Sequence, residues 1–292
     1  MALSHRRFAI AAAAPAALAI AAALLPPFAQ DPRYHAFADA RTLCGMPNFS
    51  NVISNLPFLA VALCGLRALR SRTAFVEQWE RVAYCALLAG TAAVAAGSTY
   101  YHLHPDNSRL FWDRLPMAVV FMSLLASTVG ERVSAHAGKR LLVPLILFGA
   151  ASVLYWHYSG DLRPYCLVQF GSLLAVPFLI ARFPPRYSGS GRLWLVLAFY
   201  ALAKVAELLD RDIASLITTG GHPWKHLAAA AAILVYVNTV AHRAAVGNHA
   251  APCAKKDIPS AHSTSVRPPS RPALPSAITS PRTPPSPPCS PN

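Results

Sequence analysis

Charge is what this chain has least of. Asp, Glu, Lys and Arg make up 13% of its 292 residues, where a soluble domain carries about 25%. The deficit lies in long apolar runs, each near the ~20 residues that carry a helix across a bilayer. An ordinary water-soluble domain is thereby excluded, and no separate soluble domain is visible between the runs. Acids are scarcer than bases, 12 against 26, which leaves a formal net charge of +14. The excess does not describe a nucleic-acid surface. Its bases sit in short loops between the runs and in the C-terminal tail, with no basic face interleaved with aromatics, so nucleic acid is not an expected partner. They fit topology determinants under the positive-inside rule instead. Cysteine spacing is equally empty of signal. No C-x-x-C occurs, Cys44, Cys64, Cys85 and Cys166 fall in different segments, and Cys253 and Cys289 fall in the tail. Thiolate metal sites and redox pairs are not expected, and the four body cysteines read as small, buried and inert. Arg outnumbers Lys about four to one and the runs are rich in Ala, a composition typical of a GC-rich bacterial genome.

What is present is a ladder of eight apolar segments. They fall at about Phe8–Pro27, Val52–Leu69, Val82–Tyr100, Leu115–Gly130, Leu141–His157, Pro164–Ile180, Leu193–Leu209 and Trp224–Val240. The first follows His5-Arg6-Arg7, as a signal peptide would. Its length, and Pro27 where a cleavage site wants a small residue, favour an uncleaved helix. Alternate loops are richer in base. One set holds Arg67, Arg70, Arg72 and Arg81, then Arg132, Lys139 and Arg140, then Arg182, Arg186 and Arg192; the tail adds Arg243, Lys255 and Lys256. The other set mixes fewer bases with Asp31, Asp39, Asp106, Asp113, Asp161, Asp210 and Asp212. The bias predicts both termini cytoplasmic. Beyond about Ala250 the chain turns to Pro, Ser, Thr and Arg, with twelve of the 26 prolines. Such a tail cannot bury enough apolar surface to offset its ordering entropy. The expected organisation is an N-terminal transmembrane helix (1–30), a seven-helix membrane domain (31–245) and a disordered Pro/Ser-rich basic tail (246–292). The fold class is all-α and multi-pass.

Ionisable groups at membrane depth are functional candidates by default, and two clusters qualify. Ser98-Thr-Tyr-Tyr-His102 ends the third segment and is followed by Asp113 just before the fourth; His222-Pro-Trp-Lys-His226 opens the last. Residues four apart stack on one helical face, so His222 and His226 can reach one metal ion, and Ser98 and His102 share a face. Pro223 suits a first helical turn, where its missing N–H is not needed. Alone, H-x-x-x-H describes unrelated loop histidines as readily as ligands. The expected topology, however, puts both clusters on one side of the membrane. Three His with a fourth position open is the pattern of a catalytic zinc, which brings the pKa of its water to about 7.

S-x-x-x-H, an Asp eleven residues later and a late H-x-x-x-H together resemble the alkaline ceramidases and the wider CREST superfamily, which also holds adiponectin-receptor-like proteins. Asn48-Phe-Ser-Asn51-Val-Ile-Ser54-Asn55 and Asp113-Arg-Leu-Pro116-Met117 add to the resemblance, which runs from about Asp31 to His242. It implies that His102, His222 and His226 bind Zn2+, that Ser98 holds the oxyanion or the metal water, and that Asp113 orients and deprotonates that water. The implied activity is hydrolysis of the amide of a ceramide-like N-acyl lipid by zinc-bound water, releasing a fatty acid and a lipid amine. A receptor-like relative with the same zinc site, used for signalling or slow hydrolysis, is the alternative, and a metal-free structural protein a third reading. The family's acidic calcium-binding segment corresponds here to Asp31–Asp39, with only two acids, and its Glu appears as Asn48, so Ca2+ is not expected. The outer, periplasmic face of a bacterial inner membrane is the expected side of the site, and a membrane lipid is the expected partner. Lys204 and Glu207, three apart, read as a structural pair; Trp156, Tyr155 and Tyr158 read as interfacial anchors around His157. His104 reads as a loop residue, and His35 has no assignment.

Overall fold

The computed structural model describes residues 16–246, and among these the chain is all-α. Residues 16–24 are helical; the start of the expected first segment and the tail from residue 247 lie outside the described residues. Seven principal helices follow. They are α1 (Phe49–Arg70), α2 (Gln78–Leu103), α3 (Asn107–Arg132), α4 (Ala135–Ser159), α5 (Arg163–Arg182), α6 (Leu193–Leu208) and α7 (His222–His242). All but α6 are long and apolar enough to cross a membrane. At 16 residues, α6 rises about 24 Å, and it is extended by a 3-10 turn (Ser190–Arg192) and a short helix (Asp210–Leu216). Two isolated bridges, Leu43 with Met46 and Tyr187 with Ala245, are the β pairing found among the described residues. Large apolar side chains such as Leu147, Leu174 and Leu202 point outward, more than half exposed. In water that surface would be a liability; in a bilayer it meets acyl chains, and the helices satisfy their own backbone groups as the hydrocarbon core demands. The chain is a multi-pass membrane protein.

Helices α2 and α3 begin earlier than the hydropathy pattern suggests, because their polar first turns are capped. Asp106 accepts a hydrogen bond from the backbone N–H of Arg109 at 2.7 Å and pairs with its guanidinium, so α3 starts at Asn107 and not near Leu115. The consequence is a correction. Asp113 lies in the second turn of α3, buried, and not in the loop before it. Glu77 and Glu80 form a capping box at the start of α2.

Two further readings change on folding. Trp156 is buried and not interfacial, although Tyr155 and Tyr158 beside it are exposed; successive helical residues turn ~100° apart, so one face cannot hold all three. None of the four body cysteines is buried: Cys44 and Cys85 are exposed, Cys64 and Cys166 partly so. A thiol facing lipid needs no burial in protein to be shielded from water.

At the end of the bundle away from His102, buried charges tie the loops together. Arg186 reaches Glu80 at 3.4 Å and Glu77 at 3.2 Å, Arg243 reaches Glu131 at 3.7 Å, and the Tyr187 hydroxyl donates to Glu80 at 2.6 Å. This network closes one end and leaves the chemistry-bearing residues at the other.

Candidate metal centre

His102 sits in the last turn of α2, and His222 and His226 in the first two turns of α7. Pro223 occupies the first turn of α7, as its chemistry favours. The three rings meet: each pair of centroids is 4.9 Å apart, and one nitrogen from each lies within 4.8 Å of the others. All three side chains are buried, and His102 completely so. Neither ring nitrogen of His102 has a hydrogen-bond partner among the described residues. Buried polar atoms are normally paired, and an ion between the three rings would satisfy one of the two orphaned His102 nitrogens. Three imidazole nitrogens are a donor set that suits a divalent metal such as zinc.

A second layer of contacts fixes the rings. The Ser54 hydroxyl donates to the Asn51 carbonyl at 3.0 Å and lies 2.7 Å from Nδ1 of His226. The Asn48 amide donates to the His102 carbonyl at 2.9 Å. Asn48 itself adopts a left-handed backbone, φ 49°, a conformation Asn tolerates better than most residues. The Asn55 amide donates to the Asn51 carbonyl, and the Asn51 amide to the Asp39 carbonyl. The polar face of the start of α1 is therefore a scaffold for the histidines.

One carboxylate ties α7 to the loop ahead of α1. Asp210 Oδ1 accepts from the backbone N–H groups of Gly221 and His222, both at 2.8 Å, and Oδ2 accepts from that of Ala38 at 2.8 Å. An acid at a helix N-terminus also complements the helix dipole. Next to Ala38, the Phe37 ring lies over the cluster, 4.7 Å from the His102 ring and 4.4 Å from that of His222. Asp39, in the same loop, pairs with Arg41 at 2.8 Å, and the Arg41 guanidinium lowers its carboxyl to about 2.

Ser98 and Asp113 are also brought to this end, both buried. The reason is the glycine beside Ser98. A β-carbon at Gly97 would collide with the carbonyl of Trp112, so α2 and α3 touch backbone to backbone at the residue preceding Asp113. Both side chains line a cavity of about 310 Å³ that also reaches His226. Much of its remaining wall is apolar, including Val120, Leu124, Val176 and Leu197, but Arg114, Lys204, Glu207 and Lys225 also line it. Of the five residues singled out in the sequence, Ser98, Asp113 and His226 line this cavity, and His102 and His222 stand against His226.

The same end carries charge that the sequence left unassigned. Lys204 and Glu207 do pair, but Glu207 also holds Lys225 of the H-P-W-K-H turn at 2.6 Å, and accepts from the Tyr34 hydroxyl at 3.1 Å. Burial, with the Glu207 carboxylate alongside, keeps the Tyr34 phenol well above its usual range, so it stays the donor. Lys225 Nζ stands 3.5 Å from His222 Nε2. His35 lies 2.9 Å from the Tyr101 hydroxyl and 3.0 Å from the Asn107 side-chain oxygen. Ser54, Asp210, Phe37 and Lys225 were not legible as parts of this site. Ser54 had a signal in the Asn/Ser-rich stretch at the start of α1, and Lys225 in its place inside the H-P-W-K-H cluster.

A family model described as Ceramidase matches residues 45–182. The match takes in Ser98, His102 and Asp113 and ends before His222 and His226. No curated protein and no solved structure matches the chain.

Proposed function

The chain belongs to the ceramidase family, and from that premise we propose that it hydrolyses the amide bond of a ceramide-like N-acyl lipid, with zinc held by His102, His222 and His226. The observation that carries the proposal is the buried triangle of imidazoles, one of which, His226, lines a largely apolar cavity beside Ser98 and Asp113. When bound, zinc supplies a water that is deprotonated near neutral pH and a Lewis acid for the amide carbonyl.

The chain's own residues supply the remainder. Asp113 holds the proton lost by the attacking water on a carboxylate oxygen and delivers it to the leaving amine nitrogen. Ser98 Oγ donates a hydrogen bond to the amide oxygen as negative charge gathers there. The apolar wall around Leu124 and Val176 takes the acyl chain, and Phe37 keeps bulk water from the histidines. The products are a fatty acid and a lipid amine. Calcium has no role in this scheme. In the orientation favoured by the loop charges, both termini are cytoplasmic, and the site faces the periplasmic side of a bacterial inner membrane and draws lipid from its outer leaflet. The seven-helix domain of residues 31–245 carries the activity, without the N-terminal helix or the tail.

The test is zinc content measured beside fatty-acid release from N-acyl sphingosines, for purified wild type and for His222→Ala/His226→Ala. About one zinc per chain with amide cleavage, both lost in a variant that elutes as a folded protein, supports the proposal. Zinc without cleavage of any N-acyl lipid favours the receptor-like reading. A wild type that takes up no zinc after reloading overturns the mechanism.

A further inference from the structure

Arg114 follows Asp113 on α3 and is as deeply buried, 5% exposed, yet it has no ion pair among the described residues. Its surroundings are aromatic. The guanidinium carbon lies 4.2 Å from the ring centre of Trp156, 4.8 Å from that of Tyr165 and 5.6 Å from that of Tyr34. One edge donates to the side-chain oxygen of Gln30. The other terminal nitrogen, Nη1, is buried with no partner among the described residues. Aromatic faces stabilise a cation from above and below, but they do not accept its in-plane N–H groups. A buried guanidinium lacking a carboxylate is expensive to keep, and this one lines the cavity that reaches His226.

The charge balance of the cavity points the same way. Its described lining includes two carboxylates, Asp113 and Glu207, against three cations, Arg114, Lys204 and Lys225. Glu207 is already shared by both lysines. One positive charge is therefore in excess before any metal is counted. The cavity is also polarised along its length. Arg114 and Tyr34 stand at the end with Asp113, while Leu124 and Val176 lie two or more turns further along α3 and α5. An acyl chain fits the apolar end, which leaves the amine half of the lipid beside Arg114.

We infer that Arg114 receives an oxyanion on the amine half of the lipid, so that the preferred substrates are N-acyl lipids bearing a carboxylate or a phosphate there. The inference rests on the hydrolase reading for the word substrate, but the anion site is testable without hydrolysis. Guanidinium binds both oxyanions through paired N–H donors, and the free Nη1 edge is the donor on offer.

Two matched pairs of probes decide it: N-oleoylglycine with its methyl ester, and N-oleoyl phosphoethanolamine with N-oleoylethanolamine. Binding is read as the shift in thermal unfolding midpoint over a ligand titration, and cleavage as oleate release, for wild type, Arg114→Gln and Arg114→Lys, each with its zinc content measured. Wild type should bind at least one anion about ten- to a hundredfold tighter than its neutral twin, the weight of one charge-assisted hydrogen bond away from water. Arg114→Gln should lose that preference with zinc content unchanged, and Arg114→Lys should keep part of it. Which pair discriminates identifies the carboxylate or the phosphate. Equal affinity for both members of both pairs in the wild type overturns the inference, whether or not the Gln variant folds. So does a loss of affinity for free oleate alone in Arg114→Gln, since the oxyanion would then belong to the released acid. Discrimination without cleavage of any probe or of N-oleoylsphingosine upholds the anion site and sinks the hydrolase reading; cleavage without discrimination does the reverse.

Discussion

The Ser54 hydroxyl oxygen lies 2.7 Å from Nδ1 of His226 while its hydrogen is committed to the Asn51 carbonyl at 3.0 Å. A carbonyl can only accept, so Ser54 must accept from the imidazole, and Nδ1 of His226 carries the ring proton. Nε2 is then left with its lone pair free. A hydroxyl on α1, 172 positions away in sequence, sets the tautomer in which His226 can act as a ligand.

Ser54→Ala should therefore leave the fold in place and weaken zinc binding roughly 10- to 100-fold, the usual effect of losing an outer partner of a ligating histidine. Competition with a chelator of known affinity measures it. Unchanged affinity in the alanine variant would mean that the tautomer is set by the ion alone.

Asp113→Asn keeps the size of the side chain and removes its proton-accepting charge. Amide hydrolysis should fall by about 100- to 10,000-fold, the range for loss of a positioned general base. The zinc content, measured by mass spectrometry of the purified variant, should stay at the wild-type level, because Asp113 is not among the three proposed ligands. Loss of zinc in this variant would assign Asp113 to the metal and not to the proton.

Glu207→Gln removes the one carboxylate that Lys204 and Lys225 share. Removing one partner from a buried ionic group costs about 3–5 kcal/mol, so the thermal midpoint in detergent should drop well below that of wild type. Adding Lys204→Met to that variant removes one of the two stranded charges and should recover part of the loss.

The pair Asp39–Arg41 gives a pH signature. A carboxyl lowered to about 2 from an ordinary value near 4 is more fully ionised in the folded chain than in the unfolded one. Its stabilising contribution is complete above the unfolded value and is lost as pH falls through the folded one. The difference in thermal midpoint between wild type and Asp39→Asn should hold steady from neutral pH down to about 5 and close between about 4 and 2. A difference that stays constant down to pH 2 would rule out the lowered carboxyl.

Much of this architecture was readable in the sequence because the bilayer imposes a coarse rule. Runs of about 20 apolar residues are hard to mistake, and i, i+4 spacing alone places His222 with His226 and Ser98 with His102. What failed was finer. Hydropathy ignores capped polar turns, so Asp113 was put outside the helix that holds it. Trp156 was read from its neighbours as an anchor, when helical rotation turns it inward onto Arg114. Ser54, Asp210 and Phe37 serve the histidines from other parts of the chain. Contacts across 172 positions leave no local pattern, a single Asp or Phe is too common to stand out, and Ser54 was marked only as part of the Asn/Ser-rich stretch at the start of α1.

The cover over the histidines has a kinetic consequence. Phe37 lies on both His102 and His222, and its loop is pinned by the carboxylate that also anchors the start of α7. Phe37 covers that side, so exchange of an ion would run through the cavity that reaches His226, and a chain holding lipid there should give up its metal more slowly than an empty one.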